Sequence, residues 1–160
     1  MRTLVLGLGN PLLGDDGVGW RIAEECARRM EDPAAPSSRM PPVEVDYFAR
    51  GGLSLMERLI GYDRVIVIDA IDTGSQPVGT VQCFRLEELR DPNVGHLASA
   101  HDATLQTALG MGRALGASLP ETVRVVAVEA RNVYDFSEQL SPAVATAVPR
   151  AVEIVIEMLT

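Results

Sequence analysis

The chain has no lysine; all 14 of its basic residues are arginine. That absence rules out a lysine nucleophile or a Schiff-base mechanism. Cysteine is scarce as well. Cys26 and Cys83 form no CxxC pair and fall in segments that read as helix and strand. They are expected to be reduced, packed thiols rather than ligands or nucleophiles. Only two histidines are present, His96 and His101, so there is no histidine-rich tract of the kind metal-storing proteins use. No apolar run approaches the ~20 residues of a membrane span. The short Leu4-Val5-Leu6 run is followed by no small-residue cleavage pattern. With neither signal, the protein is expected to be cytoplasmic and without a membrane partner. Positive charge is in deficit, and the net charge of −8 with a pI near 4.7 argues against nucleic acid, whose phosphates need clustered cations. An acidic surface suits a cationic or metal-bearing partner instead.

What is present suffices for one domain spanning residues 1–160. At 160 residues with 47% hydrophobic content, the chain is expected to bury about 70% of its unfolded surface without a staple. Thr3–Leu8 is an apolar run ending on Gly7 and Gly9, the pattern of a buried parallel strand. Val18, Ile22, Cys26 and Met30 then form the stripe of an amphipathic helix over Val18–Met30. Further strands are predicted at Val43–Phe48, Arg64–Ala70, Thr80–Arg85 and Thr122–Glu129, with the β-branched Val65-Ile66-Val67-Ile68 run at the centre of the sheet. Leu53–Ile60 reads as a short helix. Ser99-Ala100-His101-Asp102 reads as a capping box opening a helix that runs through Leu115. Ser141-Pro142 opens a last helix reaching Leu159, in which Pro149 predicts a kink. Strand–helix alternation of this kind implies a three-layer αβα sandwich around an open, mostly parallel sheet of about five strands.

The first loop separates two chemistries. Gly7-Leu8-Gly9 after a strand invites a dinucleotide-binding reading, but the third glycine of G-x-G-x-x-G is replaced by Leu12. Asp15 and Asp16 also stand just before the helix, where a pyrophosphate would need positive potential. Two carboxylates there repel phosphate and invite a cation. One of them is expected to serve the local backbone, Asp15, leaving Asp16 to point into a cleft.

Asp69 ends the central strand, where an unpaired buried carboxylate would be costly. In open α/β sheets ligands bind outside the carboxyl ends of strands, where Asp16 and Asp69 both fall. His101 is placed in the first turn of its helix, where the dipole favours the neutral, metal-binding imidazole. His96 is read as a solvated or locally hydrogen-bonded loop residue. Two carboxylates and one imidazole suit a borderline divalent ion with open positions.

These residues carry a family resemblance. The run from Leu4 through Gly9, Asn10, Leu13, Asp15 and Asp16 to Gly19 resembles the N-terminal motif of the maturation endopeptidases of nickel–iron hydrogenases. Gly51-Gly52, Val67-Ile68-Asp69-Ala70 and Ser99-Ala100-His101 are similar to later motifs of the same family. The resemblance implies that Asp16, Asp69 and His101 contact nickel and are the catalytic and metal-site residues. It implies an endopeptidase that trims a C-terminal extension from the nickel-loaded hydrogenase large-subunit precursor. The nickel then arrives with the substrate and is no permanent cofactor. Val128-Glu129-Ala130-Arg131-Asn132 departs from the family pattern, where many members carry a glutamate or arginine followed by proline, and leaves the client hydrogenase open. The rival readings are a non-catalytic nickel chaperone or scaffold and a nucleotide-binding α/β enzyme.

Overall fold

The computed structural model describes residues 1–35, 40–89, 95–97 and 104–160. Among these residues five strands, β1 (Thr3–Leu8), β2 (Val43–Phe48), β3 (Arg64–Ile71), β4 (Val81–Arg85) and β5 (Thr122–Glu129), form one sheet in the order β2-β1-β3-β5-β4. The first four strands in that order are parallel, and β4 runs antiparallel to β5 at the edge. Every residue of β1 is buried, as are seven of the eight in β3, which is why both read as continuous apolar runs rather than alternating ones.

Among the described residues four helices cover the two faces: α1 (Val18–Glu31), α2 (Gly52–Arg58), α3 (Leu105–Ala114) and α4 (Pro142–Leu159). Alternation along the strands divides the core. Val5, Ile66, Ile68, Val126 and Val128 face α1 and α4, packing on Val18, Ile22, Val152 and Val155. Leu4, Leu6, Val65, Val67 and Val125 face α2 and α3, meeting Leu55, Leu59, Leu105 and Leu109. The result is the expected three-layer sandwich.

Some boundaries differ from the sequence reading. The strand expected to end at Asp69-Ala70 continues to Ile71, so Asp69 lies inside β3. The helix expected from Ser99 begins at Leu105, where the Thr104 hydroxyl accepts the Thr107 N–H at 3.2 Å. The Ser99–Asp102 box lies outside the described residues. Helix α4 continues unbroken across Pro149, although the ring removes one N–H from its ladder. None of the helices among the described residues is long and apolar enough to cross a membrane.

Candidate active site

Strand order puts the site where two chain paths part. From β1 the chain crosses over α1 to β2 on one side, and the next crossover, over α2, returns it to β3 on the other. The carboxyl ends of β1 and β3, where the two paths part, are the switch point at which open sheets hold ligands. Glycines let α1 press into that edge. A Cβ on Gly19 would lie 2.4 Å from the Leu8 carbonyl oxygen and 2.5 Å from that of Ile68. Between β1 and α1 the chain makes one turn of 3₁₀ helix, Gly14–Gly17, whose two aspartates are both buried.

The two aspartates point to different partners. Asp15 Oδ1 accepts the Ser141 N–H at 2.7 Å, and its Oδ2 accepts the Ser141 hydroxyl at 2.7 Å. Asp15 thus ties the first loop to the start of α4, and it takes the hydroxyl of the residue that caps that helix. Asp15→Ala is expected to cost about 1–3 kcal/mol, because it leaves the part-buried Ser141 donors without their acceptor. A urea midpoint measured for Asp15→Ala and Ser141→Ala checks this; the serine change, which deletes one bond and no buried charge, is the milder. Asp16 turns toward that switch point, and its Oδ2 accepts the Asn10 N–H at 2.9 Å.

Asp69 comes up from β3 with 0% exposure, on the α2–α3 face of the sheet. Between the two carboxylates lies the ring of His96. Its Nδ1 is 2.8 Å from Asp69 Oδ1, and its Nε2 is 3.2 Å from Asp16 Oδ2. The His96 backbone N–H also donates to Asp69 Oδ2 at 2.6 Å. This close seating needs Gly95, which has a φ of +60° and whose Cβ, if present, would lie 2.2 Å from Asp69 Oδ2. Burial opposes the imidazolium and is the largest single influence on it. The hydrogen bonds and charges of Asp16 and Asp69 together outweigh burial and raise the His96 pKa to about 10. For Asp69, burial wins: its carboxyl is pushed above the ordinary range, and the His96 bonds pull it back only in part.

The structure therefore brings Asp16 and Asp69 to one point, joined by a histidine to which sequence reasoning assigns only a local role. His96 is one of two histidines, follows a glycine and precedes α3, but its partners come from β3 and the first loop, so only the fold reveals them. His101 lies outside the described residues. Among the described residues, no group of three or more His, Cys, Asp or Glu side chains shares an ion position. In this arrangement both nitrogens of His96 are spent on carboxylates, leaving none for a metal.

A fourth buried carboxylate among the described residues, Glu129, ends β5 at 1% exposure. The backbone N–H of Thr73 donates to it at 2.9 Å, and the Thr73 hydroxyl and Arg131 guanidinium also reach it. Burial pushes the Glu129 carboxyl up, yet these donors outweigh it and hold the group below the usual range. Arg131 in turn meets Asp72 at 3.1 Å, so the turn after β3 is pinned to the end of β5.

Comparison with known proteins fixes the lineage. The family model described as hydrogenase maturation protease matches residues 20–158. The chain belongs to the hydrogenase maturation protease family. A hydrogenase expression/formation protein, HupD of Bradyrhizobium diazoefficiens, is 30% identical over 158 residues, covering 99% of this chain and 78% of that protein. Among solved structures, the hydrogenase maturating endopeptidase HybD from E. coli superposes with a TM-score of 0.77 at 30% identity, covering 99% of this chain and 92% of that one. The nickel–iron hydrogenase maturation protease HybD from Thermococcus kodakarensis gives 0.72 at 25% identity over the whole of both chains. The maturation-protease family model begins at residue 20, so the loop carrying Asp15 and Asp16 precedes the matched stretch.

Proposed function

We propose that this family member is an endopeptidase that removes the C-terminal extension of a nickel–iron hydrogenase large-subunit precursor after nickel insertion, and that it recognises the nickel carried by that precursor. The observation that carries this reading is the convergence of Asp16 and Asp69 on the single ring of His96 at the sheet's switch point. Two carboxylates that hold an imidazolium between them form a site for positive charge, and oxygen donors of this kind suit a divalent ion. Asp16, Asp69 and His101 are the proposed contacts to the substrate's nickel. His96 is the group that balances the two carboxylates while no substrate is docked.

In this scheme the enzyme's residues orient and the substrate supplies the metal. Docking holds the scissile peptide bond beside the carboxylates, so that recognition of the ion becomes proximity. A water then attacks the carbonyl carbon, with a carboxylate of the site accepting its proton and returning one to the leaving amine. No acyl-enzyme is expected: Cys26 is buried with its thiol raised to about 12, far from the thiolate a nucleophile needs, and Cys83, exposed rather than packed as expected, stands on edge strand β4, separated from β3 by β5.

The test is cleavage of the nickel-loaded precursor by the wild type and by Asp16→Ala, Asp69→Ala and His101→Ala. Each variant is expected to lose activity by at least about 100-fold, since even the outer partners of metal-site ligands are worth about 10–100-fold. Full cleavage by all three folded variants defeats the site. A wild type that binds the precursor yet leaves its tail in place makes the protein a chaperone rather than a peptidase.

A further inference from the structure

On the α1 side of the first loop lies a groove of about 390 Å3, walled by Pro11, Leu12, Trp20 and Leu140 and rimmed by Arg21 and Glu138. Its wall is the loop that holds Asp16. Gly17 packs against Pro11 so closely that a Cβ would lie 2.8 Å from the Pro11 Cα. The loop is braced from outside by the segment before α4: Ser137 donates its N–H to the Leu12 carbonyl at 3.0 Å, and its own carbonyl accepts the Gly14 N–H at 2.7 Å. The groove is thus preformed, and its position is fixed relative to Asp16.

The two segments joined by that bracing carry apolar surface that the fold does not use. Leu12 is 51% exposed, Tyr134 83% and Phe136 89%. Single exposed apolar side chains are ordinary. Two aromatics two residues apart, on a segment bonded to the loop with a third exposed apolar residue, form a concentration that marks an interaction surface. Gly14 and Gly17, which flank the two aspartates, both line the groove, so a polypeptide held at Asp16 has this wall beside it.

We propose that this groove is a subsite for an extended stretch of the substrate polypeptide, taking an apolar side chain between Leu12, Trp20 and Leu140, with Tyr134 and Phe136, on the segment that braces the loop, offering further apolar surface to the same polypeptide. The proposal rests on the peptidase reading above. It adds a second recognition element, so the precursor is read by its ion at Asp16 and Asp69 and by its chain at the groove.

Trp20 is the chain's single tryptophan and stands in the groove, with its indole N–H donating to the Phe48 carbonyl at 3.3 Å. Its fluorescence therefore reports occupancy. The experiment titrates wild type, Leu12→Ser, Tyr134→Ser/Phe136→Ser and the control Leu115→Ser with nickel-loaded precursor, following Trp20 emission and steady-state cleavage. Leu115 is 87% exposed just past the end of α3. Expected are a Trp20 emission shift in wild type and control, and a rise in Kd and KM of about tenfold in the groove variants, with kcat within about twofold. Groove variants that bind and cleave like the control overturn the proposal. So does a change confined to self-association in sedimentation, which would make the patch a contact between copies of the chain. If wild type binds and shifts Trp20 emission without cleaving, the peptidase reading fails while the groove stands. If it neither binds nor cleaves, both fall.

Discussion

Between pH 6.5 and about pH 10 the wild-type protein is expected to lose a stability advantage over His96→Gln that it holds in full at lower pH. The His96 pKa is raised on folding from its ordinary 6.5 to about 10. A base whose folded-state value is raised binds its proton more tightly when folded, so it stabilises fully below the unfolded value. That contribution drains away as pH climbs through the folded value. Asp69 acts in the same direction from lower pH, since an acid raised on folding also costs stability as pH rises through its range. Breaking a buried ion pair by removing one member costs about 3–5 kcal/mol, and the His96 side chain is 25% exposed, so a gap of roughly 3 kcal/mol is expected at pH 6. Urea denaturation at half-unit steps from pH 6 to 10.5 reads it directly. A gap between wild type and His96→Gln that stays constant across this span would show that no imidazolium sits between Asp16 and Asp69. Asp69→Asn provides the complementary reading. It keeps an oxygen for one of the two His96 donors but removes the charge, and most of the alkaline slope should vanish with it.

That pair also shows what a sequence can and cannot tell. The strands are legible because their residues are buried on both sides and must be apolar almost without interruption, as Val65–Ile68 is. Asp16 and Asp69 are legible as residues that break the rule: a carboxylate in the loop after one such run and another interrupting the last residues of the next, at the edge where α/β sheets bind ligands. Roles that depend on one remote partner are not. Asp15 and Asp16 are neighbours of one type, and what separates them is Ser141, which only the packed fold sets beside Asp15. His96 looks like any loop histidine until β3 and the first loop are in place around it. The start of α3 differs from its expected place for a local reason. Ser99 and Thr104 are both good caps, and propensity alone does not choose between them. Leu105 and Leu109 fill the core beneath α3, and the Leu105 N–H donates to the Leu97 carbonyl at 2.7 Å, which fixes the helix start at Thr104.

Close approach of backbones supports the whole site, and Gly19→Ala tests it with an effect opposite to the usual one. Alanine in place of glycine inside a helix normally stabilises by about 1 kcal/mol, because glycine gives up more backbone freedom on folding. Gly110, on the exposed side of α3, has nothing within 4 Å of the point a Cβ would occupy, so Gly110→Ala should show that gain. Gly19 faces two carbonyl oxygens at 2.4 and 2.5 Å, one from β1 and one from β3. Both are backbone atoms of buried central strands, so neither can swing aside as a side-chain tip would. Helix α1 must back away from the sheet, and the cost of such overpacking, about 3 kcal/mol, exceeds the propensity gain. For a chain of this size the loss corresponds to a fall in Tm of roughly 6–12 °C. The same displacement carries the Gly14–Gly17 turn with it, since that turn leads directly into α1. Asp16 then moves relative to Asp69, and cleavage should fall further than stability alone explains when assayed well below the variant's Tm. Gly19→Ala with an unchanged or higher Tm, alongside the expected gain in Gly110→Ala, would mean that α1 is not seated on the carboxyl ends of β1 and β3, and the geometry that joins the two aspartates would lose its support.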